Sequence, residues 1–107
     1  MAEIYVAIRN QDRVAMSSVA GELILVLITC DGRFMGQQSA SPRNAMATFF
    51  NLPAGKYTVI ARHPLLQPAE ARQDLELAIN TIFGVRFIYN EPEHQLLNVE
   101  TEVSYLL

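Results

Sequence analysis

Phe49-Phe50-Asn51-Leu52-Pro53-Ala54-Gly55-Lys56-Tyr57-Thr58-Val59 reads as a strand, a turn and a second strand within eleven residues. The ring of Pro53 holds φ near −65°, and Gly55 is expected to take the positive φ that closes the turn. After the turn, Tyr57, Val59 and Ala61 share one face of an extended chain. Alternation on a period of two around a Pro/Gly turn is the pattern of a β-hairpin. Phe49, Leu52 and Tyr57 are expected to form one apolar cluster at its base. Burial of each side chain would contribute about 1.5–3 kcal/mol.

The same period governs the rest of the chain. Ile4, Val6 and Ile8 alternate with Tyr5, Ala7 and Arg9. Residues 22–30 read as one nearly all-apolar strand, followed by Asp31-Gly32, a dipeptide suited to a type I′ turn. Residues 33–38 would return antiparallel, and residues 39–44 form a polar loop containing Pro42. His63-Pro64 opens a longer loop that Pro68 continues. Leu75, Leu77 and Ile79 share one side of the next strand, although Ala69 to Gln73 could support a helical turn. Phe83, Val85, Phe87 and Tyr89 line another strand. In the last one, Leu97, Val99, Thr101, Val103 and Tyr105 oppose Asn98, Glu100, Glu102 and Ser104. The expectation is a single all-β sandwich domain over residues 1–107 with seven or eight strands.

Composition narrows the function classes. The chain has 107 residues, half of them hydrophobic, which fits one domain with its own core. Charged residues make up 18%, against roughly 25% in typical domains, so disorder is not expected. A net charge of −3 without a basic cluster speaks against a nucleic-acid partner. The lone Cys30 makes no internal disulfide and no cysteine-based metal site. The longest apolar run, Leu23-Ile24-Leu25-Val26-Leu27-Ile28, has six residues, whereas a membrane helix needs about 20. No signal peptide is legible at the N-terminus, so the sequence as given reads as untargeted, without membrane insertion.

The hairpin from Phe49 to Val59 resembles the F-x-N-L-P-x-G-x-Y-x-V signature of carboxypeptidase regulatory-like domains and of the B-type repeats of collagen adhesins. Both are prealbumin-like, transthyretin-like sandwiches of Ig-like topology class. The resemblance spans about residues 3–89 and leaves the strand at 97–105 as an addition. It implies that Phe49, Asn51, Leu52, Pro53, Gly55 and Tyr57 are structural hairpin residues. Adhesin repeats often carry a Lys–Asn crosslink from the first strand; here the sole lysine is Lys56, in the middle hairpin, so that crosslink is not expected. Hydroxyisourate hydrolases of this fold use several histidines and a terminal Tyr-Arg-Gly-Ser. This sequence has only His63 and His94 and ends Ser104-Tyr105-Leu106-Leu107, so their activity is not expected. Starch-binding sandwiches stack sugars on Trp. This chain has none, which leaves tyrosine or phenylalanine for that role.

Candidate chemistry is sparse. His63 and His94 could join Asp31, Glu70 or Glu91 at a metal, but solvated loop histidines explain them as well. Glu91, Glu93 and His94 read as a hairpin tip, and Cys30 as a small core or near-turn residue. Glu100 and Glu102 share a strand face at a spacing open to acid–base work, yet alternation alone accounts for them. Arg9, Arg62, Arg72 and Arg86 are expected outward, pairing with those carboxylates. No catalytic, metal or cofactor residue is expected, and the chain is not expected to be an enzyme.

One feature exceeds what a single core requires. Leu23, Leu25 and Leu27 point one way and Ile24, Val26 and Ile28 the other, so both faces of that strand are apolar. Ile60, Ile88, Leu65, Leu66, Leu106 and Leu107 add to the surplus. The expected function is a non-catalytic interaction module with a protein partner or a second copy. Its interface would run through Ile24, Val26, Ile28, Ile60 and Ile88. The alternative is a ligand-binding sandwich, for a carbohydrate or small molecule, with a loop-end pocket near His63.

Overall fold

The computed structural model describes residues 1–106. Its ten strands are β1 (Ala2–Arg9), β2 (Ser18–Val19), β3 (Glu22–Leu23), β4 (Leu25–Cys30), β5 (Arg33–Ser39), β6 (Met46–Leu52), β7 (Gly55–Arg62), β8 (Glu70–Leu77), β9 (Thr81–Asn90) and β10 (Gln95–Tyr105). Two four-stranded sheets, β10-β9-β1-β6 and β5-β4-β7-β8, pack face to face, and β2-β3 forms a short ribbon. All pairings between these strands are antiparallel except β1 with β9. Ala69 to Gln73 lie in or beside β8, not in a helical turn.

Alternation builds the core. β1 sends Ile4, Val6 and Ile8 inward, β4 sends Val26 and Ile28, β7 sends Tyr57, Val59 and Ala61, and β9 sends Val85, Phe87 and Tyr89. Phe49, Leu52 and Tyr57 are all buried members of this cluster. The turn after β4 has Asp31 at φ 50° and Gly32 at φ 79°, the two positive values a type I′ hairpin requires.

The hairpin between β6 and β7 closes differently from the sequence expectation. Gly55 has no positive φ; the positive φ of this region falls on Asn51, at 55°, inside β6 where its register with β1 shifts. Asparagine tolerates such a φ because its short polar side chain can satisfy the local backbone. At Gly55 space is tight: a Cβ there would lie 3.1 Å from Cys30 Sγ, which would have to move by a few tenths of an ångström. The Tyr57 hydroxyl donates to the Pro53 carbonyl oxygen at 2.7 Å and ties the second strand to the turn.

The expected strand over residues 22–30 is interrupted at Ile24. Its N–H donates to the Ser17 carbonyl at 2.9 Å, and its own carbonyl accepts from Ala40 N–H at 2.8 Å. Ile24 is thus pinned between two loops with its side chain in the core. Ile79 lies beyond the end of β8 and is exposed. A bulge between Leu96 and Asn98 gives the inward position to Leu96, registered with Tyr89, and leaves Leu97 exposed.

The interface expected at Ile24, Val26, Ile28, Ile60 and Ile88 is not present as a surface. All five are buried. Ile24, Val26 and Ile28 face the space between the sheets, where the sandwich core uses them. Ile60 is on the outer face of its sheet, registered between Leu27 and Arg72. On that face, Arg62 and Arg72 both pair with Glu70, at 2.7 and 2.9 Å, beside the Leu27–Ile60 pair. Arginine stems cover apolar surface while the guanidinium stays in water. Leu66 is likewise a core residue, and Leu107 lies outside the described residues.

The two open sides of the sandwich differ. Where β5 meets β6, the Gln38 side chain donates to the Thr48 carbonyl at 2.6 Å and accepts from Thr48 N–H at 3.4 Å. An amide side chain thereby occupies the free edge of β6 as another strand would. On the other side β10 is an edge strand, with Val103 and Tyr105 exposed.

Across the outer face of β9 and β10, Arg86 pairs with Glu100 at 3.4 Å and Glu102 at 3.6 Å. Arg13 grips Glu100 with both terminal nitrogens, at 2.8 and 2.6 Å. Tyr5 donates to Glu102 and lies over Gly84, where a Cβ would collide with its ring. Arg9 donates to the carbonyls of Ile8 and Asn44 and, among the described residues, pairs with no carboxylate.

The hydrogen bonds from Arg13 hold the Glu100 carboxyl at about 2, below the ordinary 4.5. A lowered folded value means that the stabilisation is full above the unfolded value and disappears as pH falls from about 4.5 towards about 2. NMR titration should place the Glu100 midpoint in that low range and move it upward in Arg13→Ala. A wild-type midpoint at the ordinary value would remove the ion pair from the solution structure.

Candidate functional site

The outer face of the β5-β4-β7-β8 sheet carries polar groups that the core does not use. Register aligns Phe34, Thr29, Thr58 and Asp74 in one row across the four strands. The next row toward the strand ends holds Lys56 and Glu76, registered with each other. Asp31 N–H donates to the Lys56 carbonyl at 2.9 Å and keeps the Asp31-Gly32 turn beside β7. Between this turn and β8 lies an open cleft of about 560 Å³. Its lining includes Asp31, Lys56, Thr58, Asp74 and Glu76, with Tyr57 and Leu75 beneath.

Hydrogen bonding leaves much of this lining free. Thr58 Oγ1 donates to Asp74 Oδ1 at 2.7 Å, which orients the carboxylate. The Cys30 thiol lies 3.9 Å from Asp31 Oδ2. Among the described residues, Asp31, Lys56, Asp74 and Glu76 take part in no ion pair. Three carboxylates and one ammonium therefore face solvent over one concave surface. Such a surface can accept hydrogen bonds from hydroxyl or amino groups and donate through Lys56. Beneath it, burial first, and then the Cys30 thiol, pushes the Tyr57 phenol up to about 12. Tyr57 is thus a neutral donor to Pro53 and a structural group.

The candidates read from sequence are scattered over the fold. His63 is buried at the far end of β7 from the cleft, so the expected loop-end pocket near it is not the cleft. His94 lies at φ 57° in the β9–β10 turn, and Glu91 there accepts from Asn10 Nδ2 at 3.0 Å. Among the described residues, no three His, Cys, Asp or Glu side chains converge as a metal site would require. Cys30 is half-buried and packs against the core. Sequence reasoning missed Lys56, Thr58, Asp74 and Glu76 as a group. Alternation does put each on the outward side of its strand, but only register joins residues 56–58 to residues 74–76.

No family model matches the chain, and no curated protein matches it. Among solved structures it is similar to the 5-hydroxyisourate hydrolase of Klebsiella pneumoniae. The TM-score is 0.60 at 13% identity, over 95% of this chain and 98% of that one. The likeness is one of fold, and it makes the chain a transthyretin-like β-sandwich. The expected reading as a non-catalytic module self-associating through an apolar sheet face is corrected here. The fold neighbour is an enzyme, and the five residues named for the interface are buried, although Leu23 and Leu65 are exposed.

Proposed function

We propose that the chain binds a small polyhydroxylated molecule, of the saccharide kind, in the cleft between the Asp31-Gly32 turn and β8. The carrying observation is the set of charged groups there that join no ion pair among the described residues, Asp31, Asp74 and Glu76 as acceptors and Lys56 as donor, around about 560 Å³. Hydrogen bonds to charged groups contribute about 1.5–3 kcal/mol each, so two or three suffice for a weak, specific site. Phe34, exposed in the same cross-strand row as Thr58 with Thr29 between them, lies outside the cleft lining but offers a flat apolar ring on the same sheet face for a longer sugar. The hairpin at 49–59 supports kinship with the carboxypeptidase regulatory-like domains among these sandwiches.

Titration with a panel of mono- and disaccharides, followed by amide NMR shifts, tests the reading. Shifts are expected at Gly32, Lys56, Thr58 and Glu76. Glu76→Gln should weaken binding about tenfold, the loss of about 1.4 kcal/mol, without moving the melting temperature. Silence of these amides at millimolar sugar would overturn the proposal, as would shifts confined to another surface. Turnover of 5-hydroxyisourate by the chain would replace the binding reading with an enzymatic one.

A further inference from the structure

A different pair of polar groups stands unpartnered at the opposite end of the sandwich. The inward series Tyr57, Val59, Ala61 of β7 continues past its last residue to His63. From the facing sheet, the series Val85, Phe87 of β9 ends in Tyr89. His63 is 3% exposed and Tyr89 fully buried. Among the described residues, His63 Nε2 and the Tyr89 hydroxyl are the buried side-chain polar atoms without a hydrogen-bond partner.

The loop between β7 and β8 ties the two positions together. His63 N–H donates to the Ala69 carbonyl at 3.0 Å, and the His63 carbonyl accepts from Leu66 N–H at 3.1 Å. The imidazole Nδ1 accepts from Leu65 N–H at 3.1 Å. Farther along, Gln67 N–H donates to the His94 carbonyl at 2.8 Å, and the Gln67 carbonyl accepts from Leu96 N–H at 2.9 Å. Leu96 is the register partner of Tyr89. The loop is therefore a strap from His63 to the strand beside Tyr89, with Leu66 buried beneath it.

With Nδ1 engaged as acceptor, the proton of the neutral ring sits on Nε2, which becomes a donor. Burial pushes the Tyr89 phenol up, so it stays a neutral O–H. Each of these two buried groups, one from each sheet, lacks a partner, and an uncharged molecule that both accepts and donates would suit both. We propose that His63 Nε2 and the Tyr89 hydroxyl form an internal binding site for a single water molecule. This water accepts from His63 Nε2–H and bonds the Tyr89 hydroxyl, linking the two sheets beneath the strap. Buried polar groups are satisfied in this way throughout globular proteins, by waters that make about two to four hydrogen bonds. The site is independent of the cleft, and either can fail without the other.

The test uses the whole chain, labelled at histidine nitrogen. A long-lived water should give a cross-relaxation signal to the His63 Nε2 proton. Absence of that signal, or a direct coupling from Nε2–H to the Tyr89 oxygen, would overturn the site. Tyr89→Phe removes one oxygen and keeps the ring. If the hydroxyl is satisfied through the water, the variant should melt lower by roughly 4–8 °C, the shift for about one hydrogen bond in a domain near this size. The water signal should vanish with it, and the Leu65 and Leu66 amides should exchange faster. An unchanged or higher melting temperature would mean an idle hydroxyl and would sink the proposal. If the variant does not fold, the wild-type water signal alone decides.

Discussion

Val26→Asp is expected to leave the chain unfolded under conditions in which the wild type is folded. Val26 is fully buried on β4, an interior strand of its sheet, and registers with Ala61 on β7. Its side chain sits in the core cluster with Ile28, Val59 and Phe87. A carboxylate there would lose its hydration with no cation to meet it, because the ion pairs of this sheet lie on its outer face. Adding the lost apolar burial brings the cost above about 4–5 kcal/mol. The total stability of such a domain is about 5–15 kcal/mol. Circular dichroism and urea titration would measure it. A Val26→Asp protein that kept its β signal and melting temperature would mean that Val26 faces solvent and that the pairing of the sheets is wrong. The same substitution therefore separates a core position from an interface position, the distinction on which sequence alone went astray.

Tyr57→Ala is expected to cost about 3–5 kcal/mol, the range for removing a large buried aromatic. Tyr57 is 1% exposed, packs in the core and anchors the β6–β7 turn through its hydroxyl. Tyr57→Phe isolates the second contribution. It removes only the bond to Pro53 and should cost about 1 kcal/mol. Denaturant midpoints for the two variants, at equal slope, give both numbers. Equal losses in the two variants would mean that the hydroxyl, and not the ring, holds the hairpin.

The hairpins were legible because their signals are local. Asp31-Gly32 needs two positive φ values, and Asp and Gly are residues that accept them. Alternation likewise identified inward residues on β1, β7 and β9 without reference to any partner strand. At Gly55 the local reading misled. The positive φ lies instead at Asn51, where β6 shifts register against β1, and the close neighbour of Gly55 is Cys30, a contact between strands distant in sequence. The run at 23–28 was misread for a related reason. With both faces apolar, nothing local marks which side faces the second sheet, or that Ile24 breaks the strand to meet Ser17 and Ala40.

The candidate sites were less legible than the fold. Lys56, Thr58, Asp74 and Glu76 look like ordinary solvent-side residues of two separate strands, and a one-residue slip would disperse them. His63 looked like a solvated loop residue because His-Pro signals a turn. Its burial depends on the strap packing against β10.

By itself the sequence determined the all-β class, the turn after β4 and the inward face of most strands. Those follow from backbone stereochemistry and the period-two burial of apolar side chains, which act within a few residues. Tertiary structure alone decided which apolar face met the other sheet, which polar side chains gathered at the cleft, and that His63 Nε2 and the Tyr89 hydroxyl find no partner among the described residues. These depend on strand order and register, which bring together residues far apart in the chain.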